Sequence, residues 1–256
     1  KSEAAVTDYI YWASKSEPGI KAAAYNALAQ SGDPLAYPVL SAAAKESGYK
    51  WEPSGATEAL INYAKAAAQK GNIKVMNKIC KTLISKCNDN LNIHYKTAAL
   101  DTYVKANGSA AMPYLLDAVK NTDSKYRNAA LRMSIDIPGQ EILTKWIEVF
   151  PKAPAYSKPD IISALGLKKD KKATTLVKAA LNNADPVVRK EAAAALVSIE
   201  GKESAPALIA YMLKNNSEGD QAAAKSALMT VTGSENIDIL LPVLKDGEPA
   251  AKKTEI

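Results

Sequence analysis

The sequence has 256 residues, a formal net charge of +6 and 47% apolar residues, which is enough for one large domain or two small ones. Arginine, the residue best suited to bidentate recognition of phosphates and bases, occurs only at positions 127, 132 and 189 among the 33 basic residues. The lysine-dominated surplus therefore indicates a solvated surface rather than a nucleic-acid interface, and no apolar run is long enough to span a membrane.

Apolar residues recur at helical spacing along nearly the whole chain, in segments separated by short turns such as Ser31-Gly32-Asp33. This pattern predicts pairs of helices, each with a first and a second member. The pairs occupy residues 3–30, 33–70, 72–106, 110–136, 139–167, 171–200, 203–232 and 235–256, the last being cut short in its second helix. We expect them to form one repeat domain over residues 1–256.

Individual side chains in these pairs are predicted to be structural. Cys80 and Cys87 lie seven residues apart on one apolar helical stripe, too far apart for a disulfide, and are expected to be small buried residues. Trp12 and Trp146 fall in first helices and Trp51 in the long connection of the second pair. We expect all three tryptophans to pack inside the protein.

A fixed repeat length appears when positions equivalent to Arg189 are marked along the chain. The marked residues are Lys21, Pro53, Lys96, Arg127, Lys158, Arg189, Gln221 and Lys252. They are 31 or 32 residues apart, except for one interval of 43 between Pro53 and Lys96. The longer interval predicts an insertion in the second helix of the second pair, or in the turn that follows it.

The clearest copy of the repeat is the stretch from Asp185 to Leu196, Asp-Pro-Val-Val-Arg-Lys-Glu-Ala-Ala-Ala-Ala-Leu. Asp185 is suited to cap a helix and Pro186 to occupy its first position. Together with Pro-x-Leu in four of the first helices, this stretch resembles the HEAT-repeat family, particularly its short bacterial form. The resemblance implies an all-α fold, a right-handed α-α superhelix (α-solenoid) of about seven to eight two-helix repeats.

The charged residues of the repeat allow two interpretations. Asp123, Arg127, Asp185 and Arg189 form a column in which the acid and the base lie four residues apart, so they can pair along a helix. In HEAT proteins such residues form ladders between adjacent repeats, and the resemblance implies the same here. Alternatively, Lys96, Arg127, Lys158 and Arg189 form a basic stripe that faces an acidic ligand.

Residue patterns of the common enzyme classes are absent from the sequence. His94 is the only histidine, and no Gly-rich phosphate loop, Cys-x-x-Cys pair or Gly-x-Ser-x-Gly elbow occurs. We therefore predict no catalytic residue, no metal site and no cofactor.

The function expected from this resemblance is a non-catalytic interaction scaffold. Its second helices would line the concave side of the superhelix and bind a protein or a flanking domain of the same chain. The chain starts at Lys1 without Met and has a bacterial composition rich in Lys, Asn and Ala, so we expect a piece of a longer, exported bacterial protein. One alternative is an accessory domain of an exported sugar-processing enzyme, and another is a HEAT-like DNA glycosylase.

Overall fold

The structure, a computed structural model, describes residues 3–15 and 17–231, so the predicted eighth pair at 235–256 lies outside the described residues. Over the described residues the chain is all-α and contains no strand, which confirms the predicted fold class. The helices are α1 (Glu3–Ala13), α2 (Pro18–Ser31), α3 (Ala36–Glu46), α4 (Ala56–Gln69), α5 (Ile73–Lys86), α6 (Ile93–Asn107), α7 (Met112–Ala118), α8 (Ser124–Ile135), α9 (Glu141–Val149), α10 (Lys158–Lys168), α11 (Thr174–Ala180), α12 (Pro186–Glu200), α13 (Ala205–Lys214) and α14 (Glu218–Val231).

Among the described residues the helices form two compact units, divided between Met133 and Ser134 near the end of α8. In the first unit α1 packs on α2, α3 on α4 and α5 on α6, and the second helices α2, α4 and α6 also pack on one another in succession. In the second unit α9, α11 and α13 pack on α10, α12 and α14, and these three second helices again stack in order. Each unit is therefore an array of helix pairs. The single domain over 1–256 stays a prediction.

Helix α12 shows how the sequence sets the ends of a repeat helix. The Asp185 side chain accepts a hydrogen bond of 2.8 Å from the backbone N–H of Val187, and Pro186 occupies the first helical position, where its missing N–H costs nothing. The helix ends at Gly201, whose φ of 61° lies in the left-handed region that glycine adopts without strain. These local signals set where α12 begins and ends, while its stability also depends on packing against the neighbouring helices.

The interface between α10 and α12 is built on small residues. Ala192, Ala193 and Ala195 are buried on α12, and Gly166 faces them from α10. A Cβ atom added to Gly166 would lie 2.7 Å from both the Cα and the Cβ of Ala195, closer than two carbon atoms can approach. The alanine run of the repeat thus allows a close helix contact.

Two lysines at the ends of second helices donate hydrogen bonds to backbone carbonyls at the end of an earlier helix. The Lys168 ammonium donates to the carbonyls of Ile135 and Ile137 at 2.7 and 2.8 Å, at the end of α8. The Lys70 ammonium donates to the carbonyl of Ser31 at the end of α2. A cation near a helix C-terminus is favourable because the free carbonyls carry partial negative charge. Part of the basic surplus therefore serves the fold.

No helix among the described residues is both long and apolar enough to cross a lipid bilayer.

Candidate functional site

A buried carboxylate joins the last two described repeats of the second unit. Asp220 is 3% exposed and accepts hydrogen bonds from Arg189 Nε at 2.9 Å and Arg189 Nη2 at 2.7 Å. The hydroxyls of Tyr211 and Ser217 each donate to it at 2.5 Å. An ionised carboxylate can only accept hydrogen bonds, so these four donors satisfy it inside the protein.

The electrostatics of this network keep the ion pair charged. The Arg189 guanidinium, helped by the two hydroxyls, outweighs burial and lowers the pKa of Asp220 well below its ordinary value. Burial, together with the hydrogen bond to Asp220, raises the pKa of Tyr211 to about 12. At neutral pH the network is therefore a carboxylate, a guanidinium and a neutral phenol, with no proton available for transfer.

The lowered pKa of Asp220 predicts a loss of stability in acid. In the unfolded chain an aspartate titrates near pH 4, above the pKa that Asp220 has in the folded protein. The contribution of Asp220 to stability is therefore complete above about pH 5 and declines as the pH falls through 4 toward the folded pKa. We expect Asp220→Asn to be less stable at pH 7 and to show a weaker decline between pH 5 and pH 3, measured as the free energy of urea unfolding. An unchanged acid dependence would contradict this assignment.

The column residues of the first unit hold the start of α8 in the same way that those of the second unit hold α12. Asp123 accepts from the backbone N–H of Tyr126 at 2.8 Å, as a cap. Arg127 is 5% exposed, and its Nη1 donates to the carbonyls of Asn121 and Thr122, both at 2.9 Å. Arg189 repeats these contacts on the carbonyls at 183 and 184, at 2.8 and 2.9 Å. Both arginines are the fourth residue of their helix.

Lys158 occupies the same repeat position as the other residues of the predicted basic stripe. Lys96, Arg127 and Arg189 are each the fourth residue of their helix. Lys158 is the first residue of α10, but the 3-10 turn Ala155–Ser157 runs directly into α10, so Lys158 is also the fourth residue of its helical run. Pro154 before this run has an extended backbone, as Asp185 has before α12. That the four residues face an acidic ligand stays a prediction.

The cationic groups of the two lysines in that stripe lie against the protein itself. Lys96 Nζ donates to Asn88 Oδ1 at 2.7 Å and lies 5.0 Å from the centre of the Tyr126 ring. Burial lowers the pKa of Lys96. Lys158 Nζ lies 5.6 Å from the centre of the Phe150 ring. Cations over aromatic faces at these distances are stabilised in place, so these lysines contribute to packing.

The tryptophans divide into one buried and two exposed residues. Trp146 is 3% exposed and its Nε1 donates to Ser134 Oγ at 3.0 Å, as expected of a packing residue. Trp51 is 71% exposed and Trp12 is 48% exposed, so the packing prediction is wrong for both. The sequence could not reveal this, because the exposure of Trp51 depends on the path of the connection between α3 and α4.

Trp51 lies at a polar cleft of about 330 Å³ between α2, the connection and α4. Its polar lining consists of two amides, two carboxylates and a hydroxyl, namely Asn26, Asn62, Glu52, Glu58 and Ser54. The Glu52 carboxylate accepts three hydrogen bonds of 2.7 Å, two from Ser54 and one from the backbone N–H of Ala56. Burial opposes the charge of Glu52, but these hydrogen bonds outweigh it and lower its pKa. The cleft therefore carries negative charge at neutral pH.

A second cleft of about 540 Å³ opens between α4 and α6. Lys65, Gln69, Asp101 and Lys105 surround a floor that includes Ile73 and three small or polar residues, Ala68, Thr102 and Ala106. Asp101 and Lys105 form an ion pair of 2.8 Å on α6. This cleft has mixed charge.

The two cysteine thiols among the described residues are not activated as nucleophiles. Cys80 and Cys87 are buried, as predicted, and burial raises their thiol pKa values to about 12 and about 11, so both stay protonated. His94 is exposed and its ring lies 3.9 Å from that of Tyr95, centre to centre. Residues 3–15 and 17–231 contain no group of three or more His, Cys, Asp or Glu side chains that could hold a metal ion.

Comparison with known proteins gives a family match and several similarities to solved structures. The chain resembles the structure of human deoxyhypusine hydroxylase in complex with glycerol, with 16% identity, a TM-score of 0.39, and 90% of this chain and 85% of that chain covered. This level of similarity transfers neither an activity nor a site. No curated protein matches the sequence.

The family model described as HEAT repeats matches residues 145–229, from the middle of α9 almost to the end of α14. Residues 145–229 are therefore HEAT repeats, which confirms the resemblance drawn from the Asp185–Leu196 stretch.

Proposed function

We propose that this chain is a non-catalytic binding scaffold, in which the second helices of the first unit present a polar, cleft-bearing face to a protein partner. The observation that carries the proposal is a single stripe on α4. Glu58 and Asn62 line the Trp51 cleft, and Lys65 and Gln69 line the cleft against α6. These four residues are spaced by four, three and four positions, which places them on one side of the helix.

The chemistry of this face suits a protein partner. Both clefts are open, and the lining of the Trp51 cleft is mainly polar, whereas the cleft between α4 and α6 has a mainly apolar lining with charged residues around it. The exposed Trp51 supplies a large rigid surface of the kind that dominates binding energy at protein interfaces. Protein recognition is common on the stacked faces of helical repeats, and this supports a scaffold more directly than a small-molecule reaction.

The alternative of a DNA glycosylase is not favoured by the charges on this face. A surface that binds duplex DNA gains most of its affinity from cations that neutralise phosphates. The Trp51 cleft instead carries the carboxylates of Glu52 and Glu58, and the other cleft pairs Asp101 with Lys105.

The proposal is tested by blocking this face and comparing partner retention. Asn62→Arg with Gln69→Arg places two bulky cations on the α4 stripe. The control, Ala42→Arg with Ser85→Arg, makes the same substitutions at exposed positions of the first helices α3 and α5. We expect the wild type and the control to retain the same partner from a lysate of the producing cells, and the α4 variant to lose it. Undiminished retention of the partner by the α4 variant would overturn the proposal.

A further inference from the structure

We propose that the Trp51 cleft binds the guanidinium group of an arginine side chain on a partner protein, an inference that rests on the scaffold function proposed above. The group would stack on the Trp51 indole and donate hydrogen bonds to the Glu58 carboxylate. The juxtaposition of an exposed indole and an unpaired carboxylate in one cleft carries this proposal.

The first step in the argument is the position of Glu58 in the repeat. Glu58 is the third residue of α4, and Asp220 is the third residue of α14. Asp220 is bound by a guanidinium from the preceding second helix, whereas no cation or hydrogen-bond donor of the described residues contacts the exposed Glu58 carboxylate. The carboxylate at this repeat position is thus paired with an arginine in α14 and has no such partner in α4.

The basic residue of α2 that could have paired with Glu58 is Lys21, and it interacts with Glu52 instead. Lys21 is the fourth residue of α2, as Arg189 is of α12. Lys21 lines a different cleft, of about 210 Å³, on the other side of Glu52, and its charge helps to lower the Glu52 pKa. Glu58 therefore remains available to a ligand.

The second step is the charge of the cleft. Glu52 and Glu58 are its only ionisable lining groups. The start of α4 contributes about half a positive charge, which two carboxylates outweigh. The protein as a whole carries +6, so a cation is repelled by the molecule in general and attracted by this cleft in particular.

The third step is the shape of the group that fits. A guanidinium is planar, stacks on aromatic faces and donates in a fork to carboxylates. An indole is the aromatic ring that attracts cations most strongly. The amides of Asn26 and Asn62 also line the cleft, and their carbonyl oxygens can accept the remaining N–H donors. An ammonium group can also lie over the face of Trp51, but it can neither stack flat on the indole nor donate in a fork to a carboxylate.

The fourth step is that the connection holds this geometry before any ligand arrives. Tyr49 has a φ of 60°, an uncommon conformation for a residue other than glycine, and such strain is concentrated at functional sites. The three hydrogen bonds to Glu52 fix the turn from Glu52 to the first residue of α4. A preformed cleft saves the ordering cost of binding.

The experiment is a titration of the whole chain with the peptide acetyl-Gly-Arg-Gly-amide, followed by the NMR signal of the Trp51 indole N–H. The control ligand replaces arginine with citrulline, which has the same shape without the charge. We expect saturable binding of the arginine peptide and at least fivefold weaker binding of the citrulline peptide. Glu58→Gln and Trp51→Leu should each weaken arginine binding about fivefold, and the matched variant Trp12→Leu, at the other exposed tryptophan, should leave it unchanged. The Trp51→Leu titration is followed by the backbone signals of residues 52–62.

Each other outcome overturns the inference. Equal binding of citrulline would assign the cleft to a neutral polar ligand, and no saturable shift up to about 10 mM arginine peptide would leave no cation site at all. Binding that is insensitive to Glu58→Gln and Trp51→Leu would place the peptide elsewhere. The scaffold proposal fails separately, when the α4 variant still retains its partner.

Discussion

Arg189→Ala is expected to lower the free energy of unfolding of the second unit by about 3 kcal/mol, the usual cost of removing one partner of a buried ion pair. The substitution leaves the Asp220 carboxylate, 3% exposed, with only the hydroxyls of Tyr211 and Ser217 as side-chain donors. It also frees the carbonyls of residues 183 and 184. The loss is measured by urea unfolding at pH 7, followed by circular dichroism.

The neighbouring substitution Lys190→Ala serves as the matched control. Lys190 is an exposed residue of the same helix, so its removal should change stability by no more than about 0.5 kcal/mol. The double variant Arg189→Ala with Asp220→Ala should lose less than the sum of its single variants, because the two side chains act as one unit. If Arg189→Ala unfolds like the wild type but no longer retains the partner, Arg189 is a ligand-binding residue and not a link between repeats.

Gly166→Ala is expected to destabilise the second unit by about 2 kcal/mol or more, although alanine is the better helix former. The new Cβ would lie 2.7 Å from the Cα and the Cβ of Ala195. Because one of these atoms belongs to the backbone of α12, the clash is relieved only if the two helices move apart. That movement disturbs the packing of the buried alanines along the interface.

Gly219→Ala is the matched control for this substitution. Gly219 is also a helical residue, in the first turn of α14, and a Cβ there would meet no atom within 4 Å. We expect it to leave stability unchanged or to raise it by up to about 1 kcal/mol. Equal unfolding of the wild type and Gly166→Ala, in the same denaturant series, would show that α10 and α12 do not approach as closely as described.

The helices and their pairing could be read from the sequence because their signals are local. Asp185 and Pro186 start α12, and apolar spacing along each segment marks the side that packs. The burial of Cys80 and Cys87 follows from the same spacing. Such features depend on a few adjacent residues, so they survive in a single sequence.

The features that escaped the sequence depend on how separate segments meet. Asp220 was not identified as the partner of Arg189, although an acidic third residue of a helix 31 positions after an arginine was a signal that could have found it. The helical run of α10 starts as a 3-10 turn in a proline-rich connection. Trp51 is exposed because of the backbone path around Tyr49. None of these can be judged from periodicity alone.

The measurement that most directly tests this account is partner retention by four forms of the chain under conditions in which all of them are folded. They are the wild type, the α4 variant Asn62→Arg with Gln69→Arg, the control Ala42→Arg with Ser85→Arg, and Arg189→Ala. The account predicts that only the α4 variant loses the partner. Undiminished retention by the α4 variant, together with loss in Arg189→Ala, would contradict it and restore the column residues as the binding surface.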